Sequence, residues 1–282
     1  MLRDDFNTKI QIVNMFVQSR LIFLFVYRII LSIQDYGVYM QQARYIDAHC
    51  HIQNAADSSA AIADAVSRGV CGWVCNATCP DDWATVTELG RVCPSVRTCI
   101  GVHPWYITRA GDHWGPRMRQ ILASDIHIMV GEIGLDTHHP DMDAQMHAFG
   151  AQLDIAYEFR RGAHIHCVGA WNVILDTFHA RALRHMPPAV VMHAYTGSAN
   201  ITDKLAGEYG AYFSFSPMVM DTRHRRMRDA ACHVPINRIL VESDSDNPSV
   251  VPDVVAAVAE IRGIPPTDMA NIIYDNTHRI LR

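Results

Sequence analysis

The chain has 282 residues, a length that a single α/β barrel fills without dividing into domains. Hydrophobic residues make up 49% and charged residues 19%, an ordinary globular balance that supplies a full core. The formal net charge of −5 argues against a general nucleic-acid coat protein, although a local basic rim would still serve a nucleic-acid enzyme.

Residues 1–39 read as an N-terminal extension. Within them Leu21–Ile30, LIFLFVYRII, is apolar but interrupted by Arg28, too short and too charged for a stable membrane insertion. No small-residue cleavage site follows it. Met40 then opens MQQARYIDAHCH and leads straight into a strand, so the extension is either helical or a start-site artefact, and residues 40–282 form the expected catalytic domain.

From there short apolar runs alternate with longer amphipathic ones. The runs at 44–50, 72–77, 96–102, 127–133, 163–167, 189–193, 211–215 and 238–242 are predicted strands, several rich in Val and Ile as buried parallel strands are. Helices are predicted near 57–68, 81–92, 112–123, 141–161, 171–184, 199–209, 222–232 and 250–262, many opening on Asp, Ser or Thr that can cap a first turn, with a closing helix at 267–281. Strict alternation over eight pairs predicts an α/β fold, a (β/α)₈ TIM barrel with a C-terminal helix. Of the eight cysteines none forms a CxxC pair; Cys71, Cys75 and Cys79 recur every four residues, and buried thiols in a reducing cytoplasm are the expectation.

Polar residues intrude at the ends of these runs. In Asp47-Ala-His49-Cys-His51 alternation puts all three polar side chains on one strand face, and two such imidazoles can grip a cation. Glu132 lies in VGEIGLD, His166 ends AHIHC, His193 ends VVMH, and Asp244 follows ILVES. Six such groups at the C-terminal ends of barrel strands mark an active site, and burying them without cations would be costly. Six mixed N and O ligands exceed the needs of one tetrahedral ion, so two divalent ions (Mg²⁺, Mn²⁺ or Zn²⁺) bridged by Glu132 are expected. Asp47, Asp136 and Glu242 are candidate hydrogen-bond partners of the ligands.

Residues 45–282 resemble the TatD family of metal-dependent DNases, in the amidohydrolase-like barrel superfamily, through YIDAHCH, IGVHPWY, VGEIGLD, AHIHC, HAYTGS, YFSFS, ILVESDSD and NTHRIL. The resemblance implies His49, His51 and Asp244 on one ion, His166 and His193 on the other, Glu132 between them, and Asp244 and Glu132 as catalytic groups. It also implies phosphodiester hydrolysis of DNA through metal-activated water. Two features depart from the family: Val168 stands where an Arg is frequent, and Ser245-Asp-Asn-Pro248 replaces a Pro- and Arg-rich loop. Weaker candidates for substrate contact are His103, Trp105 and Tyr106 just past the third strand, and Arg223, Arg225, Arg226 and Arg228 after the seventh. The rival readings are a hydrolase of another ester or amide, such as a D-aminoacyl-tRNA, and a binding protein on a decayed barrel.

Overall fold

Segments apolar enough to be covered on both faces become the strands. In the computed structural model, which describes residues 44–111, 113–181 and 185–281, they are β1 Tyr45–Cys50, β2 Val70–Asn76, β3 Val96–Ile100, β4 Met129–Asp136, β5 Ala163–Val168, β6 Val190–Met192, β7 Tyr212–Phe215 and β8 Ile239–Val241. Each pairs in parallel with the next, in chain order. All eight residues of β4 are buried, as are five of the six in β1. A helix follows every strand: α1 Ser58–Ser67, α2 Trp83–Val92, α3 Trp114–Ser124, α4 Met142–Glu158, α5 Trp171–Arg181, α6 Ala199–Tyr209, α7 Arg225–His233 and α8 Val251–Arg262. This is a (β/α)₈ barrel. The extension at 1–39 lies outside the described residues.

The last strand meets the first without a ladder among the described residues. The Asp244 N–H donates to the His49 carbonyl (3.0 Å) and the His51 N–H to the Ser245 carbonyl (2.8 Å). The Ser243 N–H donates to the Asp47 carboxylate (3.0 Å). The closing helix, α9 Pro266–Ile280, ends against the strands: Ile280 packs with Ala48, Val191 and Leu240, and Leu281 also meets Val74, Cys99 and Met129.

Several boundaries move for identifiable reasons. The β4 strand starts later than predicted and runs three residues past Ile133, because Leu135 and Asp136 stay in register with Cys167 and Val168. Gly134 permits this: its φ is +148°, and a Cβ there would overlap the His166 carbonyl. The predicted loop before α3 holds a 3₁₀ turn, Pro104–Tyr106, and a one-turn helix, Ile107–Ala110. Capping is realised at Asp57, which accepts from the Ser59 and Ala60 N–H groups, but not at Asp141 or Ser198. No helix among the described residues is long and apolar enough to cross a membrane.

Candidate metal centre

One carboxylate organises the mouth of the barrel. Glu132 is buried in β4, and its two oxygens face different partners. Oε2 lies 3.3 Å from His49 Nε2 and 3.5 Å from His51 Nε2. Asp244 Oδ1 completes that side, 3.6 Å from His51 Nε2 and 4.0 Å from His49 Nε2. Oε1 lies 2.7 Å from His193 Nε2, 3.1 Å from His166 Nδ1 and 3.2 Å from His103 Nε2. The six groups named from the sequence are thus brought together, and His103 joins them.

Neighbouring groups fix the ring orientations. His51 Nδ1 lies 2.9 Å from the Asn76 carbonyl, which leaves Nε2 for the cluster. Asp136 Oδ2 stands 3.6 Å from His166 Nε2, and Glu242 Oε1 stands 3.7 Å from His193 Nδ1. Glu242 is itself held by the Ala194 N–H (2.6 Å) and the Ser214 hydroxyl. Asp47 spends one oxygen on the His49 and Ser243 N–H groups, and burial pushes its pKa up to about 8. The Trp105 N–H donates to His103 Nδ1 (3.2 Å), so His103 carries its proton on Nε2 and points a donor at the cluster.

The electrostatics are those of a cation site. Burial opposes charge on His51, but the hydrogen bond to Asp244 and the charges of Glu132 and Asp244 carry its pKa up to about 9. Burial likewise opposes charge on His193, which Glu132 overrides, raising it. Glu132 would be raised by burial, yet His193 and His103 hold it well below the usual carboxylate range. Protons on His51 and His193 thus offset the carboxylates where cations otherwise would. Both nitrogens of His49, Nε2 of His166 and Nδ1 of His193 are buried without a hydrogen-bond partner. Of these nitrogens His49 Nε2 faces Glu132; from the other two rings it is His166 Nδ1 and His193 Nε2 that face it, 3.2 Å from each other, and imidazole nitrogens gathered on one ionised carboxylate are the donor set of a divalent cation with mixed N and O ligands. Glu132 with His49 and His51, Glu242 with His49 and His193, and Glu132 with His103 and His166 each gather ligand atoms within 4.8 Å of one another, the last only once His103 gives up its Nε2 proton.

The remaining sequence candidates are placed unequally. Trp105 is 52% exposed beside the cluster, its indole N–H held by Asp136 (2.6 Å) and its ring stacked on His139. Tyr106 stands farther out, its ring 6.3 Å from that of His103. Arg223 is engaged by Asp221 (2.6 Å), and Arg228 donates to the Val219 carbonyl (2.8 Å). Arg225 and Arg226 are exposed and make no ion pair among the described residues. His164 was not among the sequence candidates. It is buried, its ring 5.7 Å from that of His49, with neither nitrogen partnered. Burial and the neighbouring His49 and His193 drive its pKa well down. The HxH spacing of His164 and His166 was the signal that could have found it.

Comparison with known proteins gives the same outline. Residues 46–282 match the family described as TatD related DNase. The chain is 26% identical over 255 residues to YcfH of Escherichia coli K12, named as a metal-dependent hydrolase; the match covers 83% of this chain and 94% of that one. It is 27% identical over 201 residues to a protein of Pectobacterium carotovorum named 3′-5′ ssDNA/RNA exonuclease TatD, covering 64% of this chain and 76% of the other. The crystal structure of YjjV from E. coli K12, a TatD homologue, superposes with a TM-score of 0.78 at 23% identity, covering 84% of this chain and 98% of that one.

Proposed function

Since the chain belongs to the family of TatD related DNases and is a metal-dependent hydrolase, we propose that it hydrolyses phosphodiester bonds of single-stranded nucleic acid, DNA foremost, at a dinuclear centre. The observation that carries this reading is Glu132, which turns one oxygen to each of two histidine sets. His49, His51 and Asp244 would hold one divalent ion, His166 and His193 the other, and Glu132 both. Such ions, when bound, supply Lewis acidity that acidifies water and offsets phosphoryl charge.

The chain's own residues do the rest. Asp244 has the most open side chain of the six, 32% exposed against 14% for His51 and 4% for Glu132. It therefore meets the substrate and accepts the proton of the attacking water. His103 directs its Nε2–H at Glu132 Oε1 and would turn it to a phosphoryl oxygen only when that carboxylate is taken up by cations. Trp105 presents a half-exposed indole on which a base stacks. Asp136 and Glu242 keep His166 and His193 aligned. The eight cysteines are free thiols, in keeping with a cytoplasmic setting.

The test is a chelator-treated preparation given Mg²⁺, Mn²⁺ or Zn²⁺ and offered end-labelled single-stranded DNA, RNA, duplex DNA and aminoacyl-tRNA. Cation-dependent shortening of single strands is expected. Release of the amino acid alone, or full activity after exhaustive chelation, would overturn the reading.

A further inference from the structure

Between the segments that follow β5 and β6 and the helix α7 lies a cavity of about 750 Å³, lined in part by Trp171, Thr196, Ser198, Arg226 and Asp229. Its size lies within the range of small-molecule sites. Two of its walls are the segments leaving β5 and β6. Trp171 follows His166 by five residues, and Thr196 follows His193 by three. Both segments thus leave the strand ends that carry the second histidine set. The third wall is α7.

Three features specify an occupant. Trp171 is half-buried and braced edge-on by Tyr195, with ring centroids 5.1 Å apart. Tyr195 is itself fully buried and hydrogen-bonded to Thr202 (2.9 Å). Such a fixed indole is a stacking surface with little entropy left to lose. Arg226 stands in the first turn of α7 beside Arg225, with no acidic residue in that turn. A helix N-terminus disfavours cations, and neither guanidinium has an ion-pair partner among the described residues. Both guanidiniums face solvent, so Arg226 offers the cavity a cation that no side chain has engaged. Asp229, one turn further along α7, repels an anion from the deeper part of the cavity and offers an acceptor to a base or sugar instead. The lining thus has a polarity, with phosphate at Arg226 and base at Trp171.

We propose that this cavity is a nucleotide subsite, holding one unit of a bound single strand; the proposal rests on the nuclease reading above. Arg226, alone of the four arginines in its run, lines this cavity and so carries the phosphate contact.

The experiment compares the full chain with Trp171→Leu, Trp171→Phe and Arg226→Ala. It measures binding of a fluorescent phosphorothioate dT₈, cleavage of ordinary dT₈, and hydrolysis of bis(p-nitrophenyl) phosphate, which is too small to span both sites. Trp171→Leu and Arg226→Ala are each expected to weaken dT₈ binding about tenfold. Trp171→Phe should restore most of the loss, since it keeps a ring for stacking and for packing on Tyr195. Arg226→Ala should flatten the salt slope by about one phosphate contact. Hydrolysis of the small diester should stay unchanged. Parental dT₈ binding in the Leu and Ala variants, with cleavage intact, overturns the subsite and leaves the nuclease standing. Binding that depends on Trp171 and Arg226 without any cleavage leaves the subsite standing and removes the nuclease. Failure of the parent to bind dT₈ removes both. If dTMP alone binds as tightly as dT₈, the cavity serves free nucleotides and the strand subsite is overturned.

Discussion

The two sides of Glu132 are built in different ways. Toward Oε2, His49 and His51 come from one strand, and simple alternation aims both rings the same way. Toward Oε1, His103, His166 and His193 follow or end three different strands, and buried carboxylates hold two of those rings in place. The first side is a local motif completed by Asp244, its most open member. The second exists only once the barrel has closed, and it relies on Asp136 and Glu242 for alignment. Two rings aimed by one strand need only the Asn76 carbonyl behind His51 and Asp244 in front, whereas rings from three strands are each met by a carboxylate or a backbone N–H on the far side.

The most damaging way to break this contrast is to remove what both sides share. Glu132→Gln should abolish turnover, by about 10²- to 10³-fold or more, and lower bound metal on both sides, as read by elemental analysis of the purified variant. Retention of two ions per chain would show that Glu132 is no bridge. Next comes Asp244→Asn, which preserves shape and removes the proton acceptor. A loss of about 10²-fold in kcat is expected, with little change in melting temperature. Asp136→Asn and Glu242→Gln touch the braced side alone. Each should weaken one of two metal-binding events by about 10- to 100-fold and leave the other as it was. Equal weakening of both events would mean that the sides are not separable. The smallest effect is in pH. His51 holds its proton up to about 9, so a cation entering its side must displace that proton. Affinity should rise as pH increases toward about 9 and fall below it. Proton release should be measurable by calorimetry in buffers of different ionisation enthalpy.

The same contrast explains what the sequence discloses. The barrel was legible because each strand is an apolar run bounded by polar, glycine or proline residues, and each helix begins soon after. The HxH pair was legible from period two alone, and Glu132, His166, His193 and Asp244 from their placement at strand ends. Local pattern stops short of contacts between distant strands. Nothing near His103 discloses that its Nδ1 is taken by the Trp105 N–H and its Nε2 aimed at Glu132. Nothing in the arginine run separates Arg223 and Arg228, engaged by Asp221 and the Val219 carbonyl, from Arg225 and Arg226. The extension of β4 beyond Ile133 depends on a glycine whose conformation is set by its approach to β5.

The absence of a ladder between β8 and β1 has a consequence for how the barrel comes apart. Its hydrogen bonds cluster at His49, His51 and Asp244, and the Asp47 contact to Ser243 spans 196 positions of sequence. Three hydrogen bonds cross that join, against five registered pairs between β4 and β5, so the join is expected to open before that pairing does. A cation gripped by His49, His51 and Asp244 would then rivet the first strand to the last, closing a loop that holds the strands between them as a disulfide might. Chelation on this view loosens the whole barrel along one line, and the ligand set belongs to the frame as much as to the chemistry.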